Sequence, residues 1–256
     1  MKAAEDGNLA VVRYLIEVGA DVNAVDMQGR TTLIYATLKC KNFDVIRLLI
    51  QCGADIHVAE NEGVTPLMFA VMANSLEVVQ FLVKLGVNVN SIGKNKWTAL
   101  TYAIRNMNPA IAQFLLENGA DVDSEDNNGW TSLLVAARMF DWRTVQFLAY
   151  YGANVDAVDE NGSTALILVA GYSDIKIIKV LLECGANVNA LSSTKAQGRS
   201  MTVIYRHIDA IWAAIDDFPA IKELKLRREE QKLKLQDSFV SEVSQTLIVY
   251  KLMMLA

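Results

Sequence analysis

A pentapeptide recurs along this chain at a nearly constant interval. It reads GADVN at Gly19, GADIH at Gly53, GVNVN at Gly86, GADVD at Gly119, GANVD at Gly152 and GANVN at Gly185. The first interval is 34 residues and the other four are 33. A period of that size describes one supersecondary unit repeated and stacked, each copy burying its apolar face against its neighbours. A single globular core is excluded for most of the 256 residues. The apolar share of 52% must instead be spread over thin layers.

The other columns of the repeat define the unit. Each recurrent Gly follows an apolar helical stretch such as VVRYLIEVG or VVQFLVKLG, and ends that helix in the left-handed region. Ahead of each stretch stands Asn8, Asn42, Ser75, Asn108, Asp141 or Asp174, all N-cap types, with Pro109 at a first helical position. Another helix precedes this one. Thr31, Thr65, Thr98, Thr131 and Thr164 are expected to cap it, and Leu33, Leu67, Leu100, Leu133 and Leu166 to fill its core. A small-residue column, Ala36, Ala70, Ala103 and Ala136, lets neighbouring helices approach. Segments such as VDMQGR, AENEGV and EDNNGW then form projecting hairpins between units.

These residues resemble the ankyrin repeat family over residues 1–192. The family's G-x-T-P-L-H-x-A pattern stands as GVTPLMFA at Gly63, and in degraded form as GRTTLIYA, GWTSLLVA and GSTALILV. The copy at Lys96 reads KWTALTYA, with the hairpin Gly replaced, and the His after Leu is missing throughout. The resemblance implies an all-α solenoid of stacked helix-turn-helix units with short β-hairpin or turn segments. The units fall at about 1–26, 27–60, 61–93, 94–126, 127–159 and 160–192, and the second carries one extra residue near TLKCKN.

Both ends depart from the pattern. The first unit starts at its Ala column, Ala3, and its second helix carries Val11, Val12, Tyr14, Leu15 and Ile16 like an interior unit. A trimmed domain, or a start inside a longer array, is the expectation. Residues 193–202 read as a linker and 203–256 as a helical C-terminal extension, with a degenerate seventh repeat or cap at GRSMTVIY.

Catalytic chemistry finds little support. The P-loop, dinucleotide, nucleophile-elbow and zinc-protease patterns are missing, and only His57 and His207 are available. Cys40, Cys52 and Cys184 have no C-x-x-C spacing, so neither a disulfide framework nor a thiolate metal site is expected. A net charge of −5 opposes nucleic-acid binding. The chain is therefore expected to be non-catalytic, with no cofactor and no metal. No secretory leader or membrane span is read, which points to a cytoplasmic protein; the oligomeric state stays open, with a monomer favoured.

Binding is the expected function, as an adaptor, scaffold or inhibitor of other proteins. The resemblance implies that hairpin tips and the exposed ends of first helices touch the partner. Carried onto this chain, these positions include Arg30, Val64, Trp97 and Trp130 at the tips, and Met72, Arg105, Arg138, Met139 and Tyr172 at the helix ends. Trp97 and Trp130 share a column in adjacent units, so both a binding and a packing role are open to them. Two other readings stand beside this one: a regulatory fragment of a larger enzyme or channel, and a structural homo-oligomer held by its tail.

Overall fold

The computed structural model describes residues 1–39, 42–170 and 175–187. Within them lie the helices α1 (Lys2–Glu5), α2 (Leu9–Glu17), α3 (Thr32–Lys39), α4 (Phe43–Gln51), α5 (Pro66–Met72), α6 (Leu76–Lys84), α7 (Ala99–Arg105), α8 (Pro109–Glu117), α9 (Ser132–Arg138), α10 (Trp142–Tyr150), α11 (Ala165–Ala170) and α12 (Ile175–Glu183). No strand forms among the described residues, and the hairpins reduce to turns with two isolated bridges, Val25–Thr31 and Val158–Thr164. The chain is thus all-α and built from helix pairs. The expected linker and helical extension lie outside the described residues, as do Tyr172 and Asp174.

Two compact units divide the chain. One comprises Met1–Ala136 with Phe147–Asn154, and the described part of the other runs over 137–146, 155–170 and 175–187. In the first, α1 packs on α3, α3 on α5 and α5 on α7, forming a row of first helices. A row of second helices lies against it, with α2 on α4 and α6 on α8. Phe43 and Phe81 meet edge to face at 5.2 Å and join α4 to α6 in that row.

The columns read from the sequence become the core. Leu33, Leu67, Leu100 and Leu133 are at most 2% exposed, and Ala36, Ala70, Ala103 and Ala136 at most 3%. Each buried Leu contributes roughly 1.5–3 kcal/mol against leaving it in water. Second-helix columns show where that burial comes from. Val45, Val78 and Ile111 are at most 1% exposed, yet the matching Val11 is 41% exposed; Leu49, Leu82 and Leu115 are closed while Leu15 is 40% exposed.

Capping follows the expected residues with one exception. All five Thr hydroxyls accept from the backbone N–H three residues on, at 3.3–3.4 Å. Asn8, Asn108 and Asp141 cap α2, α8 and α10 in the same manner, and Asn42 caps α4 by accepting from the Asp44 N–H two residues on. Ser75 occupies the N-cap of α6 but makes no side-chain cap bond. The surplus residue of the second repeat is taken up in part by α3, which has eight residues where α5, α7 and α9 have seven. In the second unit, α11 and α12 pack together over Leu166, Val169, Ile178 and Leu181, each at most 1% exposed.

Side chains also stitch neighbouring loops. The Asn23 amide donates to the Gly53 carbonyl at 2.9 Å and accepts from the Asp55 N–H at 2.8 Å. Asn90 repeats both bonds with Gly119 and Asp121. Asp123 and Asp156 can only accept, and bind the N–H groups of Asn154 and Asn187. His57 stands in this column, and its ring makes no corresponding bond. One rung of the ladder is missing there.

Candidate protein-binding surface

The hairpins that precede first helices share one construction. A carboxylate three residues ahead of the hairpin Gly accepts two backbone N–H groups and closes the turn. Asp26 accepts from Gln28 and Arg30 at 2.9 and 2.8 Å; Asp126 accepts from Asn128 and Trp130 at 2.8 and 3.0 Å. Glu60 and Asp159 do the same in their own turns. Adjacent tips then touch through backbone. Asn61 N–H donates to Gln28 at 2.9 Å, and Asn127 N–H donates to Asn95 at 3.0 Å. Gly29 takes φ +76°, and a Cβ there would also crowd the Asn61 backbone N at 3.1 Å, so Gly is favoured at this approach.

The hairpin of the fourth repeat breaks the rule. Gly93 takes the carboxylate position and Lys96 the glycine position, where Lys96 adopts φ +61° and Asn95 φ +59°. This tip is a 3-10 turn, Lys94–Lys96, closed by the Trp97 carbonyl accepting from Gly93 N–H at 2.9 Å. Two non-glycine residues in the left-handed region store strain, which surrounding contacts must offset. Lys94 supplies one such contact, an ion pair with Glu62 of the preceding tip at 2.6 Å. That carboxylate holds the Lys94 ammonium above its ordinary range.

Trp97 is held on several sides. Its indole N–H donates to Asp126 at 3.3 Å, Tyr102 meets its ring edge-on at 5.3 Å, and the Arg105 guanidinium lies over its face at 4.3 Å. Asp126 thus carries both Trp97 through the indole N–H and Trp130 through the backbone N–H. The two tryptophans are linked by one carboxylate. Burial, then the charges of Glu60 and Glu62, push the Tyr102 phenol up.

The ankyrin-repeat family model, which spans three copies, matches residues 1–60, 39–126 and 118–192. The chain belongs to the ankyrin repeat family. Among solved structures, the Bcl-3 ankyrin repeat domain, described as a unique member of the IkappaB protein family, is 26% identical with a TM-score of 0.66, over 80% of this chain and 95% of that one. A chain from the complex of the predatory endopeptidase Bd0816 of Bdellovibrio bacteriovorus with immunity protein Bd3460 is 30% identical, TM-score 0.65, over 71% and 95%. The human ASB11 ankyrin repeat domain shares the fold at 24% identity and a TM-score of 0.64, over 80% and 96%. No curated protein sequence matches.

On this ankyrin scaffold the expected contact residues fall into different environments. Met72 is 40% exposed at the end of α5 and Arg105 is exposed at the end of α7. Trp97 and Trp130 are half-buried, so each packs and also offers area. Val64 departs from the expectation for a tip: it is 5% exposed, because its carbonyl and N–H close on Glu60 and turn the side chain inward. Arg30 is half-buried, with its Nε enclosed and without a partner. In the second unit Arg138 is exposed and Met139 half-buried. Tyr172 lies outside the described residues.

Several participants were not singled out from the sequence. The carboxylate column, Asp26, Glu60, Asp126 and Asp159, is visible as an acid three residues before the hairpin Gly. Tyr35 adds to it: its hydroxyl donates to Asp26 at 2.7 Å, which holds that carboxyl below the ordinary range despite opposing burial. Tyr102, in the first-helix column that also holds Tyr35 and Phe69, belongs to the Trp97 cluster. Among the described residues no cluster suits a metal ion, and no helix is long and apolar enough to cross a membrane.

Proposed function

We propose that this chain is a non-catalytic protein-binding module, acting as an adaptor, scaffold or inhibitor. Its partner is met at the hairpin tips of the third and fourth repeats and the adjacent helix ends, with Arg105, Trp97 and Met72 at the centre and Arg30 and Trp130 as further contacts; Arg138 and Met139 are separate candidate contacts within the second compact unit. The observation that carries this reading is the Arg105 guanidinium. It is exposed, lies over the Trp97 ring at 4.3 Å, and pairs with no carboxylate among the described residues. A guanidinium oriented in advance loses less freedom on binding and offers a planar fork to a partner carboxylate.

Trp97 acts as the platform that sets Arg105, and Asp126 and Tyr102 set Trp97. Ankyrin repeat domains serve as protein-interaction modules, and one similar chain comes from an assembly of an endopeptidase with an immunity protein; both support a protein partner. The free thiols Cys52 and Cys184 favour a reducing, cytoplasmic setting. Affinity capture with wild type, Arg105→Ala and Trp97→Ala tests the reading. Partners of this surface should be lost from Arg105→Ala, and equal recovery of every partner from all three proteins would refute it.

A further inference from the structure

The row of second helices carries a feature that the repeat pattern does not require. Two residues before each recurrent Gly the chain has Glu17, Gln51, Lys84, Glu117 and Glu183, all polar, but Tyr150 in the fifth copy. Tyr150 is 85% exposed. It does not stand alone, as scattered surface apolar residues do. Its ring meets Tyr151 edge-on at 5.5 Å, and Tyr151 in turn packs on Phe147 at 4.9 Å, one helical turn back.

A carboxylate adjoins these rings. Tyr151 reaches across from its repeat to Glu117 at the end of α8, its hydroxyl 3.4 Å from Oε1. The Gln113 amide donates to the same Oε1 at 2.8 Å. Both bonds converge on one oxygen, and Oε2 of Glu117 accepts from no other described residue. An exposed aromatic ring, joined through Tyr151 to a carboxylate with an open oxygen, is the complement of a cation on an apolar stem: the ring attracts the charge and the carboxylate takes its N–H donors.

We propose that the second-helix face carries a separate docking site, formed by Tyr150, Tyr151 and Glu117, that takes an Arg or Lys side chain of a basic segment in a protein partner. Tyr150 lies against the cation, Glu117 Oε2 accepts from it, and Tyr151 positions both by touching each. The charge preference is opposite to that of Arg105, so one chain presents a cation on one surface and a cation receptor on another. An acidic partner segment is disfavoured here by Glu117.

The test uses the full chain and two fluorescein-labelled peptides of equal length, identical except that one carries Arg where the other carries Glu. Anisotropy should show binding of the Arg peptide only. Tyr150→Ala should weaken it about two- to five-fold and Tyr150→Phe should preserve it. Glu117→Gln should weaken it further, about tenfold when combined with Tyr150→Ala. Arg105→Ala should leave it intact, so failure here and failure of the first surface are distinguishable. Equal binding of both peptides, no binding of either, or an unchanged affinity in Tyr150→Ala overturns the proposal. So does a dimer of the chain that Tyr150→Ala dissolves, since the occupant is then a second copy.

Discussion

Two aromatic clusters in the same compact unit are built in opposite ways. Around Trp97 the side chain is engaged internally at three points: the indole N–H by Asp126, the ring by Tyr102, a face by Arg105. Around Tyr150 the exposed ring has one aromatic neighbour, and the adjoining Glu117 keeps an oxygen open. The first cluster is a structural platform whose free element is a cation. The second is loosely held and its free elements are a π face and an anion. Exposure of an aromatic ring therefore says less about binding than what its polar neighbours have left unpaired.

Stability measurements separate the clusters most strongly. Trp97→Ala should cost roughly 2–3 kcal/mol, somewhat under the 3–5 of a core Trp because the ring is half-buried. Tyr150→Ala should stay within about 0.5 kcal/mol. Urea unfolding of the two variants checks this, and equal midpoints would erase the distinction.

The carboxylates should follow the same order at smaller size. Asp126→Ala removes the acceptor for two backbone N–H groups and the Trp97 indole, and should cost about 1–2 kcal/mol. Glu117→Ala, on an exposed helix end, should cost no more than about 0.5 kcal/mol. Arg105→Ala should lie between, near 0.5–1 kcal/mol, since an exposed cation–π contact is all that the folded chain loses. A loss above that would mean that Arg105 has a structural role and is no free binding element.

Titrations give the finest comparison. Asp26 copies the Asp126 arrangement, with Tyr35 in place of the indole, and its carboxyl sits below its ordinary value of 3.8. A depressed folded value means that its contribution is complete above the unfolded pKa and is lost as pH falls through the lower folded one. Tyr35→Phe should move Asp26 upward, followed by carboxyl NMR. In the other cluster, burial first and Glu117 second raise the Tyr151 phenol above 10.0. Glu117→Gln should lower it only in part, because burial persists. A return to the ordinary value would mean that Glu117, rather than burial, is the main cause.

How far the sequence carries depends on whether a property repeats. The Gly, Thr, Leu and Ala columns each announce a capped, buried position six or five times over, and the helix pairs follow from them. Burial depth does not, because Leu15 and Leu49 share a column and differ only in what lies against them. The left-handed turns at Met107 and Phe140, φ +52° and +57°, carry residue types with no preference for that region, so packing imposes them. Arg105 over Trp97 was legible only as two candidates; their stacking needs the hairpin folded back beside α7. Tyr150 was readable as a departure from a polar column, but Glu117 became its neighbour only across the repeat.

On the proposed function, Arg105, held on Trp97, is the element that a partner recognises. Affinity capture with wild type, Arg105→Glu and Tyr150→Ala, each at matched folded concentration, tests it directly. At least one partner held by wild type and by Tyr150→Ala should disappear from Arg105→Glu, because a carboxylate there repels the partner's own. Recovery of the same partners in the same amounts from Arg105→Glu and wild type would contradict it.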